Sequence, residues 1–375
     1  MSPLSRLVVV VAGNTVFPTL VGVFPTTNQK EEMMKNKLLN GDNLEGLKYL
    51  LEDNNVKGKI DLCYIDPPFA TNSNFTITNG RASTISNSIN GNIAYSDKLT
   101  GTEFIAFLKE RLLLIKDLLS DKGSIYLHID YKMGHYVKVM MDEVFGIENF
   151  RNDITRIKCN PKNFKRTGYG NIKDLILFYS KGAKPIWNEP KVPYTEKDIE
   201  TLFKKRKDGR PYTTVPIHAP GETINGKSNQ PFKGMMPPEG RHWRTDVETL
   251  EQWDTNGLIE WSKTGNPRKI IFADEKEGKR VQDIWEYKDP QYPTYPTEKN
   301  QDILDLIIKT SSNKGSIVLD CFCGSGTTLK SAHSLERHWI GIDQSELAIK
   351  STVEKIESIK RDLFVPKPEF EIINV

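Results

Sequence analysis

Short apolar runs and longer stretches with helical periodicity alternate along most of the 375-residue chain. Residues 60–65, 124–130 and 174–179 are mainly apolar runs of the length typical of buried strands. Residues 103–119 and 131–145 instead place apolar side chains three to four positions apart, which predicts helices. Strands that alternate with helices favour a mainly parallel, twisted sheet covered by helices on both faces, so the pattern predicts an α/β fold.

The first 32 residues do not follow this alternation. Their apolar stretch is interrupted by Pro18 and Pro25 and is too short and broken to span a membrane. We expect residues 1–32 to form an extension outside the core. Two alternatives are an additional strand of the sheet and a translation start at Met33 or Met34.

Two further segments depart from the pattern. Residues 70–98 are polar and rich in Asn, Ser, Thr and Gly, which predicts a long loop without regular structure, of the kind that often forms a lid. Residues 181–289 are irregular and rich in proline, glycine and aromatic residues. The chain is therefore divided into a first α/β half, 33–180, an inserted region, 181–289, and a second α/β half, 290–375.

A carboxylate, two prolines and an aromatic ring follow the first apolar run. The sequence Asp66-Pro67-Pro68-Phe69 comes directly after the predicted strand, and its prolines make the turn stiff. Open α/β sheets bind ligands at the carboxyl ends of their strands. Asp66 and the Pro67 carbonyl can accept both hydrogens of an exocyclic amine, while Phe69 offers a stacking face for a flipped-out nucleobase. The alternative is an ordinary strand-to-loop turn, since Asp and Pro are common turn residues.

A second motif lies in the last quarter of the chain. Residues 316–332 read SIVLDCFCGSGTTLKSA, which predicts a strand, a turn at Gly324 and Gly326, and a helix that begins at Thr327 or Thr328. A threonine at the start of that helix is placed to bind a carboxylate, because the backbone N–H groups there point toward an anion.

The strand predicted at 338–342 ends in Asp343 and completes a βαβ unit. Such a unit binds adenosine, since the glycines admit the ligand close to the backbone and the acid accepts hydrogen bonds from ribose hydroxyls. A dinucleotide site would have a third glycine where this chain has Leu329. Asp320 would repel a pyrophosphate but attract an amino group or a sulfonium. The motif therefore favours S-adenosylmethionine over NAD.

Positive charge is concentrated in the middle of the chain, although the net charge is only +3. Residues 151–181 carry eight Lys or Arg against two Asp, and residues 201–244 carry nine against three acids, with aromatic residues interspersed. Phosphate contacts supply much of the affinity of proteins for DNA, so these stretches favour a DNA partner. A solvated surface is the alternative.

The four cysteines, Cys63, Cys159, Cys321 and Cys323, form no C-x-x-C pair and no zinc pattern with the six histidines. This predicts a reducing, cytoplasmic environment and no metal site. We also expect no membrane partner.

The 66–69 tetrapeptide, the sequence DCFCGSGTT and the sequence YPTEKNQDIL ahead of it together resemble the DNA amino-methyltransferases. The catalytic motif comes before the donor motif, as in the circularly permuted β group of that family, and LLNGDNLEGL at 38–47 is similar to the group's first motif. The resemblance covers most of residues 38–361. It implies a Rossmann-like fold dependent on S-adenosylmethionine, with residues 181–289 as the target recognition region.

The resemblance also implies roles for individual residues. Residues 66–69 would be catalytic, and the donor would be held by Asp42, Asp320, Phe322, Gly324, Gly326, Thr327, Thr328 and Asp343. Lys299 would lie near the methionine end of the donor or, alternatively, would be an exposed charge at the start of a helix.

The expected reaction is methylation of adenine N6 in double-stranded DNA within a restriction-modification system, because Asp in the first motif position is associated with adenine. Cytosine N4 on the same fold is the nearest alternative. A cognate restriction endonuclease and a homodimer are partners that the resemblance leaves open. A non-catalytic nucleic-acid binder should lack Asp66 or the glycines, and an NAD-linked oxidoreductase would be distinguished by cofactor titration.

Overall fold

The computed structural model describes residues 35–68, 101–161, 165, 167–223, 226–289, 299–359 and 369–375, and the backbone of three strands between 74 and 96. The strands are β1 (Asn36–Asn40), β2 (Ile60–Ile65), β3 (Asn74–Thr78), β4 (Arg81–Ile85), β5 (Asn92–Ser96), β6 (Leu119–Ile129), β7 (Phe150–Ile157), β8 (Lys173–Ser180), β9 (Lys191–Val192), β10 (Lys204–Lys205), β11 (Pro211–Pro216), β12 (His218–Pro220), β13 (Arg241–Trp243), β14 (Ile259–Trp261), β15 (Pro267–Phe272), β16 (Lys279–Arg280), β17 (Ile284–Trp285), β18 (Ile317–Asp320), β19 (His338–Asp343) and β20 (Phe370–Asn374). The helices are α1 (Asn43–Glu52), α2 (Gly101–Leu118), α3 (Gly134–Phe145), α4 (Glu196–Leu202), α5 (Val247–Thr255), α6 (Gln301–Ser311), α7 (Thr327–Ser334) and α8 (Glu346–Glu357).

Nine strands form the central sheet, in the order β17-β7-β8-β6-β2-β18-β19-β1-β20. The six strands from β6 to β20 in that order are parallel to one another, whereas β8 is antiparallel to both β6 and β7. The predicted α/β fold with a mainly parallel sheet is therefore confirmed.

The middle of the sheet contains the point at which the strand order reverses. From β2 the chain crosses through α2 to β6, which lies on one side of the β2-β18 pair. From β18 it crosses through α7 to β19, which lies on the opposite side of that pair. Because β2 and β18 are parallel neighbours, their carboxyl ends lie side by side between the two crossovers. In open α/β sheets this is where a crevice forms and ligands bind.

Helix α6 shows how the sequence directs packing against this sheet. Asn300 caps its first turn by accepting a hydrogen bond from the Asp302 backbone N–H at 2.8 Å. Its apolar stripe is buried in a cluster that also contains Val318 of β18; the stripe consists of Ile303, Leu304, Ile307 and Ile308. The burial of such a stripe supplies most of the stability of a helix in a protein.

Two of the predicted elements differ from the structure. The helix predicted at 131–145 begins only at Gly134, because the Asp130 carboxylate accepts hydrogen bonds from the backbone of Lys132 and Met133, both at 3.0 Å, and holds those residues in a turn. The prediction that residues 70–98 lack regular structure is wrong, since β3, β4 and β5 form an antiparallel three-stranded sheet there.

Strands β1, β7 and β20 were not expected from the apolar pattern. β1 and β20 extend the parallel sheet beyond β19, and β7 pairs with β8. We predicted that residues 1–32 form an extension outside the core, but these residues lie outside the part of the chain that the structure describes. Across the described ranges, no helix is both long enough and apolar enough to cross a membrane.

Most of the inserted region, 181–289, forms small sheets of its own. One is a four-stranded sheet in the order β10-β11-β15-β14, and two others are the pairs β12-β13 and β16-β9. Phe232, Trp243 and Leu250 are buried together in a small separate core. The assignment of this region to target recognition stays a prediction, which exchange of the segment with that of a relative of different specificity would test.

Candidate active site at the carboxyl ends of β2 and β18

Asp66 directly follows β2, at the rim where the sheet order reverses. Its carboxylate is largely buried, with 15 % of the side chain exposed, and Oδ2 lies 2.8 Å from the Lys299 ammonium. Lys299 is itself only 12 % exposed, so the alternative of an exposed charge at a helix start is wrong. Lys299 instead joins the segment before α6 to the loop that follows β2. Pro67 is buried behind Asp66, which is consistent with a rigid loop.

The other oxygen of Asp66 points into the protein. Among the residues that the structure describes, no hydrogen bond reaches Oδ1, although that atom is buried. Nδ1 of His128, on β6, lies 3.8 Å from it. A buried acceptor without a donor is unfavourable by about 1–3 kcal/mol, so Oδ1 is placed to receive a hydrogen bond from a ligand.

Asp320 lies at the end of β18, beside Asp66, and is almost completely buried. Its Oδ1 accepts a hydrogen bond from the Phe322 backbone N–H at 3.0 Å, and the Thr328 side chain also hydrogen-bonds to it. Burial raises the pKa of Asp320 to about 7, and the negative charges of Asp66 and Asp343 add to the effect. A cationic ligand at this rim would therefore meet several carboxylates.

Asp343, at the end of β19, closes the glycine turn from the side. Its Oδ2 accepts a hydrogen bond from the Gly324 backbone N–H, and its Oδ1 accepts one from Ser345, both at 2.9 Å. Burial raises the pKa of Asp343 despite these bonds. Each oxygen retains a lone pair, so the carboxylate can also accept a hydrogen bond from a ligand hydroxyl.

Gly326 caps α7 in the left-handed conformation, with φ +76°. A Cβ atom added there would lie 2.7 Å from Oγ1 and 2.8 Å from Cγ2 of Thr352 on α8. The Thr352 hydroxyl in turn donates a hydrogen bond to the Gly324 carbonyl at 2.9 Å. The turn is therefore held against α8 by packing that only glycine allows.

Thr327 and Thr328 are both buried in the first turn of α7. Thr328 faces Asp320, whereas Thr327 Oγ1 accepts a hydrogen bond from the Lys355 ammonium at 3.0 Å. Lys355 also donates to Ser325 at 2.9 Å. The sequence did not single out Lys355, which brings a positive charge from α8 to the start of α7.

Asp42 lies at the same rim, following β1. It caps α1 by accepting a hydrogen bond from the Leu44 backbone at 2.8 Å, and both of its oxygens lie 3.4 Å from the Arg111 guanidinium. Arg111 is buried, stacks 3.5 Å above the Phe107 ring and also bonds the Asn43 side chain. Asn43 donates to the Cys321 carbonyl at 3.1 Å, so this cluster is tied directly to the segment that leads into the glycine turn.

The structure thus brings together most of the residues predicted for the site. Asp42, Asp66, Asp320, Asp343 and Lys299 converge on the carboxyl ends of four adjacent parallel strands. Phe322 is half-buried, and its ring centroid lies 6.3 Å from that of Phe107. Phe69, the predicted stacking residue, lies outside the described residues.

Part of the positive charge predicted for DNA binding serves internal contacts. Arg156 is fully buried and bonds Asp289 and the Tyr287 carbonyl, while Lys158 lies 2.7 Å from Asp174. The first basic stretch therefore offers fewer free cations to phosphate groups than its sequence indicates.

Comparison with known proteins agrees with this geometry. A family model described as DNA methylase, of the N6/N4 methyltransferases, matches residues 60–354, which include both loops of the site. The chain belongs to the N6/N4 DNA methylase family. Its members take the methyl group from S-adenosylmethionine, so the resemblance inferred from the sequence and the predicted cofactor are confirmed.

Relatives of this DNA methylase include a type II enzyme and type III subunits. The chain is 40 % identical over 331 residues to the type II methyltransferase M.EcaI of Enterobacter cloacae, covering 86 % of this chain and 70 % of M.EcaI. It is 26 % identical over 399 residues to the probable type III restriction-modification enzyme HindVI Mod subunit of Haemophilus influenzae. That match covers 87 % of this chain but only 50 % of the Mod subunit.

Among solved structures, the M1.HpyAVI–SAM complex is similar, with a TM-score of 0.46 and 16 % identity. The similarity covers 85 % of this chain and 98 % of that protein.

Proposed function

We propose that this DNA methylase transfers a methyl group from S-adenosylmethionine to N6 of adenine in double-stranded DNA, as the modification enzyme of a restriction-modification system. The observation that carries the proposal is the Asp66 carboxylate, whose buried Oδ1 receives no hydrogen bond from the described residues and stands beside the donor turn. An amine donor of the target base would satisfy that oxygen.

The chemistry that the site must perform explains this arrangement. The lone pair of an exocyclic amine is conjugated with the ring, so the nitrogen is a weak nucleophile until it becomes tetrahedral. Hydrogen bonds from both amine hydrogens, one to Asp66 and one to the Pro67 carbonyl, favour that change. Because the Lys299 ammonium lies 2.8 Å from Oδ2, it fixes the carboxylate in one orientation. Preorganised acceptors of this kind stabilise the transition state without having to reorient during the reaction.

The residues around the glycine turn fit the methyl donor. Asp320 would attract its cationic portion, Asp343 would accept a hydrogen bond from its ribose, and Asp42 would lie near its adenine. The start of α7, with Thr327 and the Lys355 ammonium, has the positive character suited to a carboxylate. Bound there, the donor supplies an electrophilic methyl group, while the protein's own residues set the direction of attack.

Affinity for S-adenosylmethionine is expected to depend on the ionisation of Asp320. Because burial raises the pKa of this carboxyl to about 7, it is mostly neutral at pH 6 and mostly ionised at pH 8. A cationic ligand is attracted only by the ionised form, so affinity should fall about tenfold per pH unit below pH 7. Calorimetry between pH 5.5 and 7.5 measures this. Asp320→Asn should bind weakly and without that pH dependence; a flat profile in the unmodified protein would contradict the assignment.

The target base is tested by sequencing. DNA from a methylation-deficient bacterium that expresses this chain should contain N6-methyladenine at one recurring sequence, detectable by long-read sequencing, and an Asp66→Ala strain should lack it. Cytosine N4 carries the same pair of amine hydrogens, so N4-methylcytosine at a recurring sequence would keep the mechanism but overturn the adenine assignment.

A further inference from the structure

A chain of buried polar groups lies directly behind Asp66. The Tyr64 hydroxyl and Nδ1 of His128 are 3.1 Å apart, and Nε2 of His128 faces Oδ2 of Asp174 at 3.4 Å. Tyr64, His128 and Asp174 are each at most 2 % exposed. They come from three adjacent strands, β2, β6 and β8, so the sheet itself sets their spacing.

The charges on these three residues determine which of their atoms carry protons. Burial acts to raise the pKa of Asp174, but the neighbouring His128 imidazole and the Lys158 ammonium outweigh it and hold that pKa well below its usual range. The resulting carboxylate is negatively charged and its Oδ2 lies 3.4 Å from Nε2, so it favours the imidazole proton on Nε2 over Nδ1. Nδ1 is then an acceptor, and the Tyr64 hydroxyl, whose pKa is raised by burial and which therefore keeps its proton, donates to it.

The consequence concerns Oδ1 of Asp66, which is 3.8 Å from the same Nδ1. With the proton on Nε2, the imidazole offers that oxygen no donor. With the proton on Nδ1, a shift of less than about 1 Å would bring the imidazole within hydrogen-bond distance, and it would compete with the target amine.

We propose that Tyr64, His128 and Asp174 form a tautomer lock, which keeps the proton of His128 away from Asp66 and so reserves Oδ1 for the amine of the target base. His128 acts through Asp66 and is a positioning residue. The inference rests on the proposed role of Asp66 in amine methylation.

Asp174→Asn tests the lock directly. Lys158 lies 2.7 Å from Oδ1 of Asp174 and can only donate, so it should retain the oxygen of the new amide and leave the NH2 group facing Nε2. That NH2 group would donate to Nε2 and move the imidazole proton to Nδ1. The single-turnover rate of methylation at saturating DNA and S-adenosylmethionine should fall about tenfold or more, as expected when a site histidine adopts the wrong tautomer. Affinity for S-adenosylmethionine should not change.

The double variant separates this effect from a general loss of stability. His128→Phe removes the tautomer and cannot donate to Asp66, so adding Asp174→Asn to it should cause no further fall in rate. If the two losses simply multiply, the lock is wrong. Lys158→Gln is the matched control, because it removes a partner of Asp174 but leaves the carboxylate, and its single-turnover rate should stay within about threefold of the unmodified protein.

The pH profile gives an independent readout. Among the described residues, the charged and titratable groups that face His128 include Tyr64 and Asp66 from the end of β2, Asp174 from β8, and Lys299 from before α6. Burial and the Lys299 charge lower the pKa of His128, so the neutral form should persist to below pH 6.5. Protonation at lower pH adds a proton to Nδ1, so the single-turnover rate should fall on the acid side when S-adenosylmethionine saturates the protein at each pH, and His128→Phe should lose that fall. An unchanged acid limb in His128→Phe would count against the proposal.

If Asp174→Asn does not fold, the ring of His128 can be observed in the unmodified protein. Its 15N chemical shifts at pH 7.5 should report a protonated Nε2 and an unprotonated Nδ1; a protonated Nδ1 would overturn the lock. Loss of methylation in Asp66→Ala would still support the proposed function in that case. Failure of the lock and failure of the function are therefore distinguishable.

Discussion

Replacement of Asp66 by alanine is expected to lower the single-turnover rate of methylation by a factor of about 10² or more, with little change in the affinity for S-adenosylmethionine. In the proposed mechanism the carboxylate accepts the amine hydrogen mainly as the nitrogen becomes tetrahedral, so its contribution belongs to the transition state more than to binding. Rapid-quench assays with saturating DNA measure the rate, and calorimetry measures donor affinity.

Asp61 provides a matched control on the same strand. It lies at the opposite end of β2, where its carboxylate accepts hydrogen bonds from Ser120 at 2.8 Å and Ser316 at 2.6 Å. Asp61→Ala should lower the melting temperature, since two hydroxyl donors lose their acceptor, but it should leave the rate close to that of the unmodified protein. Near-normal methylation by Asp66→Ala would show that the 66–69 loop is only a turn.

The parts of the fold that the sequence predicted well are those with strong local patterns. The apolar run of β2 and the apolar stripe of α6 each predict one buried element, because burial on one or both faces imposes a short repeat on the sequence. β1 and β7 lack such a repeat. β1 has only five residues, and the sequence of β7, FRNDITRI, mixes charged and apolar residues because its side chains are only partly buried.

The same distinction applies to the site. Asp66, Asp320 and Gly326 belong to short contiguous motifs whose chemistry can be inferred from adjacent residues. His128, Arg111 and Lys355 instead act through partners 28 to 69 positions away in the chain. The sequence indicates two of them indirectly. His128 lies within the apolar strand SIYLHI and Arg111 lies on the buried face of α2, and buried polar groups need hydrogen-bond partners.

The structure explains the glycine at position 326 differently from the sequence. The sequence indicated that glycine is needed so that the ligand can approach the backbone. An added Cβ would instead point at α8, within 2.7 Å of Thr352, while the φ of +76° already disfavours any side chain. The constraint on Gly326 is therefore the packing of the glycine turn, residues 324–326, against α8.

Gly326→Val is accordingly expected to abolish measurable binding of S-adenosylmethionine and to lower the melting temperature as well. The valine would push the turn away from α8 and break the hydrogen bond from Thr352 to the Gly324 carbonyl, which helps to hold the turn in place. Calorimetry and thermal unfolding measure the two effects. Gly315→Val is the matched control, because Gly315 has a similar φ of +79° but no atom within 4 Å of an added Cβ. It should lose about 1–2 kcal/mol of stability from the left-handed backbone and keep its donor affinity.

A second pair of variants distinguishes packing from ligand contact. Gly326→Ala should weaken donor binding, and Thr352→Ser in the same chain should restore part of it, because serine lacks the Cγ2 atom that lies 2.8 Å from the added Cβ but keeps the hydroxyl that donates to the Gly324 carbonyl. If the ligand itself needed the space at position 326, the second substitution would restore stability but not affinity. Donor affinity that is unchanged in Gly326→Val would show that the glycine turn does not form the methyl-donor site.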